Sequence, residues 1–218
     1  MTISESSNFA VEYEKKTGRT EAFSDGVFAI AMTLLALEVS PPSHEATESA
    51  GGLAQALLDG WPGYIAFVIS FLTTLIMWAN HHHLLKLFKR TDHVFRILNG
   101  LTLMGISLVP FTSALLADYI SDSENARIAA MVYAGVFAFI ALCWNVLWFY
   151  GAYRGHLLKP DVPQALIDSI NRTYLVSPLL YLTALLLALI HVALSVTVVA
   201  GLAIFYLFPG SSGENATN

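Results

Sequence analysis

The chain has 218 residues, of which 56% are hydrophobic and 12% charged, and its mean hydropathy is +0.60. A water-soluble domain carries about 25% charged residues, so this composition excludes an ordinary soluble fold and makes the bilayer the expected solvent. The net charge of -5 decides nothing by itself, and the single cysteine, Cys143, excludes an intrachain disulfide.

Residues 1–18 are polar and mixed in charge, and they read as a cytoplasmic segment that does not match a cleaved secretory signal. Apolar runs then follow at Phe23–Val39, Trp61–Asn80, Val94–Leu116, Ala129–Tyr150 and Leu175–Phe208. Each of the first four reaches at least the short end, about 17 residues, of what crosses a bilayer at about 1.5 Å per residue. The fifth would reach roughly 50 Å as one helix, so it is divided near His191 into two short spans, making six. Pro41-Pro42 ends the first helix, and Pro110 falls inside the third span, where it predicts a kink. Leu53–Leu58 has apolar residues near helical spacing, which predicts a short amphipathic turn on the outer surface before the second span. Residues 209–218 are small and polar and read as a disordered tail, leaving 19–208 as the membrane domain.

With the N-terminus inside, the cytoplasmic segments hold Lys15, Lys16, Arg19, Lys86, Lys89, Arg90, Arg96, Arg154, Lys159 and Arg172. The outer loops hold Arg127 alone among basic residues and add Glu45, Glu48, Asp118, Asp122 and Glu124. This asymmetry predicts a multi-pass protein of the cell membrane with a cytoplasmic N-terminus, and the parity of six spans puts the C-terminus on the same side.

The first span carries most of the chemistry. It runs Arg19-Thr-Glu-Ala-Phe23-Ser24-Asp25-Gly26 into an apolar helix that ends Leu37-Glu38. At 100° per residue, Gly26, Ile30, Thr33, Leu34 and Leu37 fall within about 60° of one line, while Asp25 lies about 140° from Ile30. Such a stripe packs against lipid or a neighbouring helix, or it lines a pore. An aspartate at the mouth of an apolar helix needs compensation. Candidate partners for Ser24 and Asp25 in a buried polar network are Arg19, Trp78, His81, His82 and Asn99.

The spacing Arg19-x-x-x-Phe23-Ser24-Asp25 resembles the signature of the prokaryotic relatives of the lysosomal and endosomal potassium channel, a family without the usual TVGYG filter. Tyr64, Ser70-Phe71, Trp78 with His81-His82, Arg90-x-Asp92, Leu98-Asn99 and Pro110-Phe111 continue the resemblance through the third span. The last three spans resemble the family in hydropathy and length alone. The resemblance implies an all-α integral membrane protein, six transmembrane helices per subunit, with the first helix lining a central pore in a homotetramer. Counted from the aspartate, the narrow part of that pore corresponds to Ile30, Leu34 and Leu37, with Thr33 beside them.

The function expected on this basis is a potassium-permeable cation channel with a hydrophobic constriction. Rings of aliphatic side chains offer no oxygen to a dehydrating ion, so selectivity for K⁺ over Na⁺ is expected to be modest, with Thr33 hydroxyls as weak ligands. Glu38 at the outer mouth would concentrate cations. The partners are further copies of the chain, membrane lipid and monovalent cations, with no nucleic acid, no cofactor and K⁺ as the permeant ion. A proton-conducting channel and a secondary transporter with Asp25 and the histidines as relay are the alternatives; no internal repeat supports the latter.

Several other patterns carry less. His81-His82-His83 invites a metal, but adjacent helical residues diverge by about 100°, so no metal site is expected; the imidazoles offer a route to pH dependence. Thr197-Val-Val-Ala-Gly201 echoes TVGYG without its second glycine or its tyrosine. No hydrolase, zinc-protease or P-loop motif suggests an enzyme.

Overall fold

A computed structural model describes residues 3–122 and 124–207, with side chains from residue 17 onward. Eight α-helices follow in order: α1 (Ile3–Leu37), α2 (His44–Ser49), α3 (Leu53–Asp59), α4 (Trp61–Lys86), α5 (His93–Tyr119), α6 (Ala126–Phe149), α7 (Gln164–Ala188) and α8 (Val192–Leu207). A π-helical turn, Tyr150–Arg154, prolongs α6.

Five helices are long and apolar enough to cross a membrane: the Thr17–Leu37 part of α1, then α4, α5, α6 with its π turn, and α7. The long apolar run at the C-terminal end is indeed broken, at Leu189–His191, but α7 begins at Gln164, well before Leu175. Ile167, Ile170 and Tyr174, three and four residues apart, pack on the core and carry the helix through Asp168, Asn171 and Arg172, polar residues that hydropathy alone assigns to a loop. The remaining piece, α8, covers 16 residues, or about 24 Å, as far as the described residues run. At the other end, α1 runs unbroken past position 18, so the boundary between residues 18 and 19 marks a change of composition within one helix. The predicted turn at Leu53–Leu58 is the separate helix α3, and α2 before it was not foreseen. Ser43 caps α2 by accepting from the Ala46 amide at 3.1 Å, and Gly51 and Gly52 reverse the chain with φ of 82° and 140°, values open to glycine. The expected tail at residues 209–218 lies outside the described residues.

The bundle is organised around α5 and α6. α5 packs on α1, α4 and α6, while α6 packs on α7, and α7 and α8 lie side by side. Gly105 allows the closest approach of α5 to α6: a Cβ there would lie 2.6 Å from Ile140 Cγ1. Phe95, Ile106, Phe137, Ile140, Leu147 and Trp148 fill the interior between these helices. Asp92 ties the start of α5 to the end of α6: one carboxylate oxygen accepts from the Phe95 amide at 2.8 Å, the other from the Tyr150 hydroxyl at 2.8 Å. An isolated antiparallel bridge between Phe88 and Leu158 joins the α4–α5 and α6–α7 connections at that same end.

Candidate functional site: the two faces of the first helix

α1 presents two opposite faces. Ser24, Phe28, Ala31 and Leu35 are almost wholly buried and hold the helix to α4 and α5. On the other side Ile30 is 60% exposed, Leu34 41% and Leu37 73%, with Thr33 exposed between them. Among the described residues this ridge is left exposed, so it meets lipid, another chain or water. The Thr33 hydroxyl donates to the Ile30 carbonyl at 2.8 Å, which leaves its oxygen lone pairs available on the exposed side. Glu38 is exposed and is the first residue past the helix.

The inner face carries a chain of polar side chains. Trp78 Nε1 on α4 donates to Asp25 Oδ1 at 2.9 Å, which compensates a half-buried carboxylate in an apolar bundle. Next to it, Asn99 Nδ2 on α5 donates to Ser24 Oγ at 3.0 Å, and Ser24 Oγ donates to the Thr20 carbonyl at 2.8 Å. Asn99 Oδ1 then faces His81 Nε2 at 2.7 Å, and because an amide oxygen only accepts, the network assigns the hydrogen to Nε2. The His81 ring is enclosed by Phe28 and Trp144, each with its ring centroid 5.5 Å away.

Of the candidate residues, Ser24, Asp25, Trp78, His81 and Asn99 therefore come together on one side of α1. His82 stacks on Trp78 and places Nδ1 2.8 Å from Glu21 Oε1. Arg19 is exposed and, among the described residues, makes no bond with Ser24 or Asp25; Phe23 is 64% exposed. His83 is exposed and diverges from its neighbours, and among the described residues no group of three potential metal ligands occurs.

Glu21 and Thr20 were missed from sequence. The signal for Glu21 was available: Glu21 and Asp25 are one turn apart on α1, as Trp78 and His82 are on α4, so one pairing predicts the other between antiparallel helices. A second buried cluster was also unforeseen, in which Ser113 Oγ donates to Ser70 Oγ at 2.6 Å and Ser70 Oγ lies 3.0 Å from the Tyr133 hydroxyl. Single serines in apolar helices give no sequence signal of their mutual approach.

These features define a multi-pass, all-helical membrane protein whose first helix is anchored by polar bonds on one face and bare on the other. The chain belongs to the TMEM175 family: residues 19–110 match the family described as endosomal/lysosomal potassium channel TMEM175. It is 48% identical to a potassium channel of Chamaesiphon minutus over 88% of this chain and 94% of that one. It is 38% identical to a potassium channel of Streptomyces collinus over 88% of this chain and 92% of the relative. The crystal structure of a lysosomal potassium-selective channel TMEM175 homolog from Chamaesiphon minutus matches with a TM-score of 0.80 at 48% identity, covering 88% of this chain and 97% of that one. The family is one of membrane channels and not of enzymes.

Proposed function

We propose that the chain is a potassium-permeable cation channel of the cell membrane, built as a homotetramer in which four copies of α1 surround the pore. The observation that carries the reading is the bare aliphatic ridge of Ile30, Leu34 and Leu37, standing opposite the face of α1 that is bonded into its own subunit. Arranged around a symmetry axis, those side chains form successive apolar rings that conduct when wetted and close by dewetting. Thr33 adds weak oxygen ligands, and Glu38 adds negative charge at the outer mouth. The names of the Chamaesiphon and Streptomyces relatives support K⁺ as the permeant ion. The basic residues support cytoplasmic termini, and the sequence supports a pore without a TVGYG filter.

The test is cation flux into liposomes containing the purified protein. Wild type is expected to pass K⁺ faster than Na⁺, and Ile30→Asn, which wets the first apolar ring, is expected to raise the leak of both ions. An Ile30→Asn flux equal to wild type would remove the ridge from the pore.

A further inference from the structure

A groove of about 530 Å³ runs between α4 from Leu72 to Leu87, α6 from Ile140 to Asn145 and α7 from Leu166 to Tyr181, with Tyr206 of α8 at its inner end. Along α4 and α7 it extends about 22 Å at the rise of an α-helix, which is most of the depth of a bilayer's hydrocarbon core.

Most polar side chains of the groove are tied within the bundle, Asn80 and Tyr181 apart. Trp144 Nε1 donates to the Tyr174 hydroxyl at 3.0 Å, Asn145 Nδ2 donates to the Tyr174 carbonyl, and the Ser177 hydroxyl donates to the Thr173 carbonyl at 2.7 Å beside the Tyr206 hydroxyl. The rest of the lining is mainly aliphatic and aromatic. A polar ligand lying along them would forfeit its hydrogen bonds to water, whereas a hydrocarbon chain would not.

The mouth is different in kind. His83 and Lys86 line it and are exposed. Beside them the Lys159 amide donates to the carbonyl of Leu87, itself a lining residue, at 2.9 Å, and the Lys89 amide donates to the Leu157 carbonyl at 2.9 Å. The first of these bonds sets the Lys159 backbone beside the lining residue Leu87. Asp168, the nearest acidic residue on α7, lies two positions from both Leu166 and Ile170 and so about 160° around the helix from them. Its Oδ1 accepts from Gln164 Nε2 at 3.0 Å. Lys86 thus places a positive charge at the mouth, and the interior is mainly apolar.

We propose that this groove binds an anionic phospholipid, with an acyl chain laid along α4 and α7 and the phosphate at Lys86. Charge complementarity at the rim selects the headgroup, since basic pockets between membrane helices recognise anionic lipids. The mainly apolar walls inside select a hydrocarbon tail. This assignment is independent of what ion the protein conducts.

The experiment titrates the purified full-length protein in neutral detergent with dioleoyl-phosphatidylglycerol or dioleoyl-phosphatidylcholine and counts retained lipid by native mass spectrometry. Wild type is expected to retain phosphatidylglycerol in preference. Lys86→Gln is expected to weaken phosphatidylglycerol about five-fold, the value of one basic residue near an anionic surface, and to leave phosphatidylcholine unchanged. Ala79→Trp, which puts an indole into the groove from α4, is expected to abolish the preference. Equal retention of the two lipids by wild type would overturn the proposal, as would an unchanged preference in both variants, because the groove would then hold another part of the assembly.

Discussion

Trp78 Nε1 donates to Asp25 Oδ1 at 2.9 Å, and one helical turn further toward the basic end of the bundle His82 Nδ1 lies 2.8 Å from Glu21 Oε1. The two pairs are rungs between the antiparallel helices α1 and α4, and they fix the register of the helix that bears the exposed ridge. A shift of α1 by one residue would rotate that ridge by about 100°. The polar face and the bare face are therefore parts of one device: the first sets where the second points.

The coupling between Trp78 and Asp25 is measurable. A hydrogen bond to a charged group contributes about 1.5–3 kcal/mol when it forms in a partly buried site. Trp78→Phe removes the donor and keeps an aromatic ring, and Asp25→Asn removes the charge. In thermal unfolding of the purified protein, each is expected to lower the midpoint, and the double variant is expected to lose less than the sum of the two. Strictly additive losses would show that the bond does not hold α1 in place.

Asn99 holds more. Its amide donates to Ser24 and accepts from His81, so Asn99→Leu strands the buried His81 Nε2 and costs Ser24 an accepted bond, while Ser24 keeps its bond to the Thr20 carbonyl. A stranded group costs about 1–3 kcal/mol, and with the lost bond at Ser24 the expected loss is larger than that of Trp78→Phe in the same unfolding assay. A loss smaller than that of Trp78→Phe would show that Ser24 and His81 find other partners.

How much of this was legible in the sequence follows from what each signal measures. Helical periodicity separated Ile30, Thr33, Leu34 and Leu37 from Asp25 because a continuous helix fixes angles whatever surrounds it, and the exposures of these residues follow that division. Polar residues in apolar spans announced that a network exists, since each must find a partner, yet periodicity does not choose among partners on other helices. The Asn99 bridge between Ser24 and His81 thus required the packing of α1, α4 and α5 together. The start of α7 was hidden for another reason: hydropathy detects burial in lipid, whereas Gln164–Tyr174 is a helix in which polar residues alternate with apolar ones.

Thr33 tests selectivity apart from stability. Its hydroxyl is satisfied as a donor by the Ile30 carbonyl, so Thr33→Ala removes an exposed oxygen without stranding a buried group. If four such oxygens help replace the hydration shell of K⁺, Thr33→Ala is expected to lower the K⁺/Na⁺ permeability ratio in liposomes while leaving the unfolding midpoint within about 0.5 kcal/mol of wild type. An unchanged ratio would assign selectivity to the width of the aliphatic rings alone.

Glu38 acts over a longer range, and salt separates its effect from that of a ligand. As an exposed carboxylate just past the end of α1, it raises the local cation concentration only within a Debye length, about 30 Å at 0.01 M salt and about 3 Å at 1 M. Glu38→Gln is expected to reduce single-channel K⁺ conductance at 0.01 M, where the bulk supply of ions is limiting and the mouth charge is unscreened. At 1 M the variant and wild type are expected to conduct alike. A deficit of the same proportion at both salt concentrations would mean that Glu38 touches the permeating ion or shapes the pore, and a variant equal to wild type at both would place the carboxylate away from the conduction path.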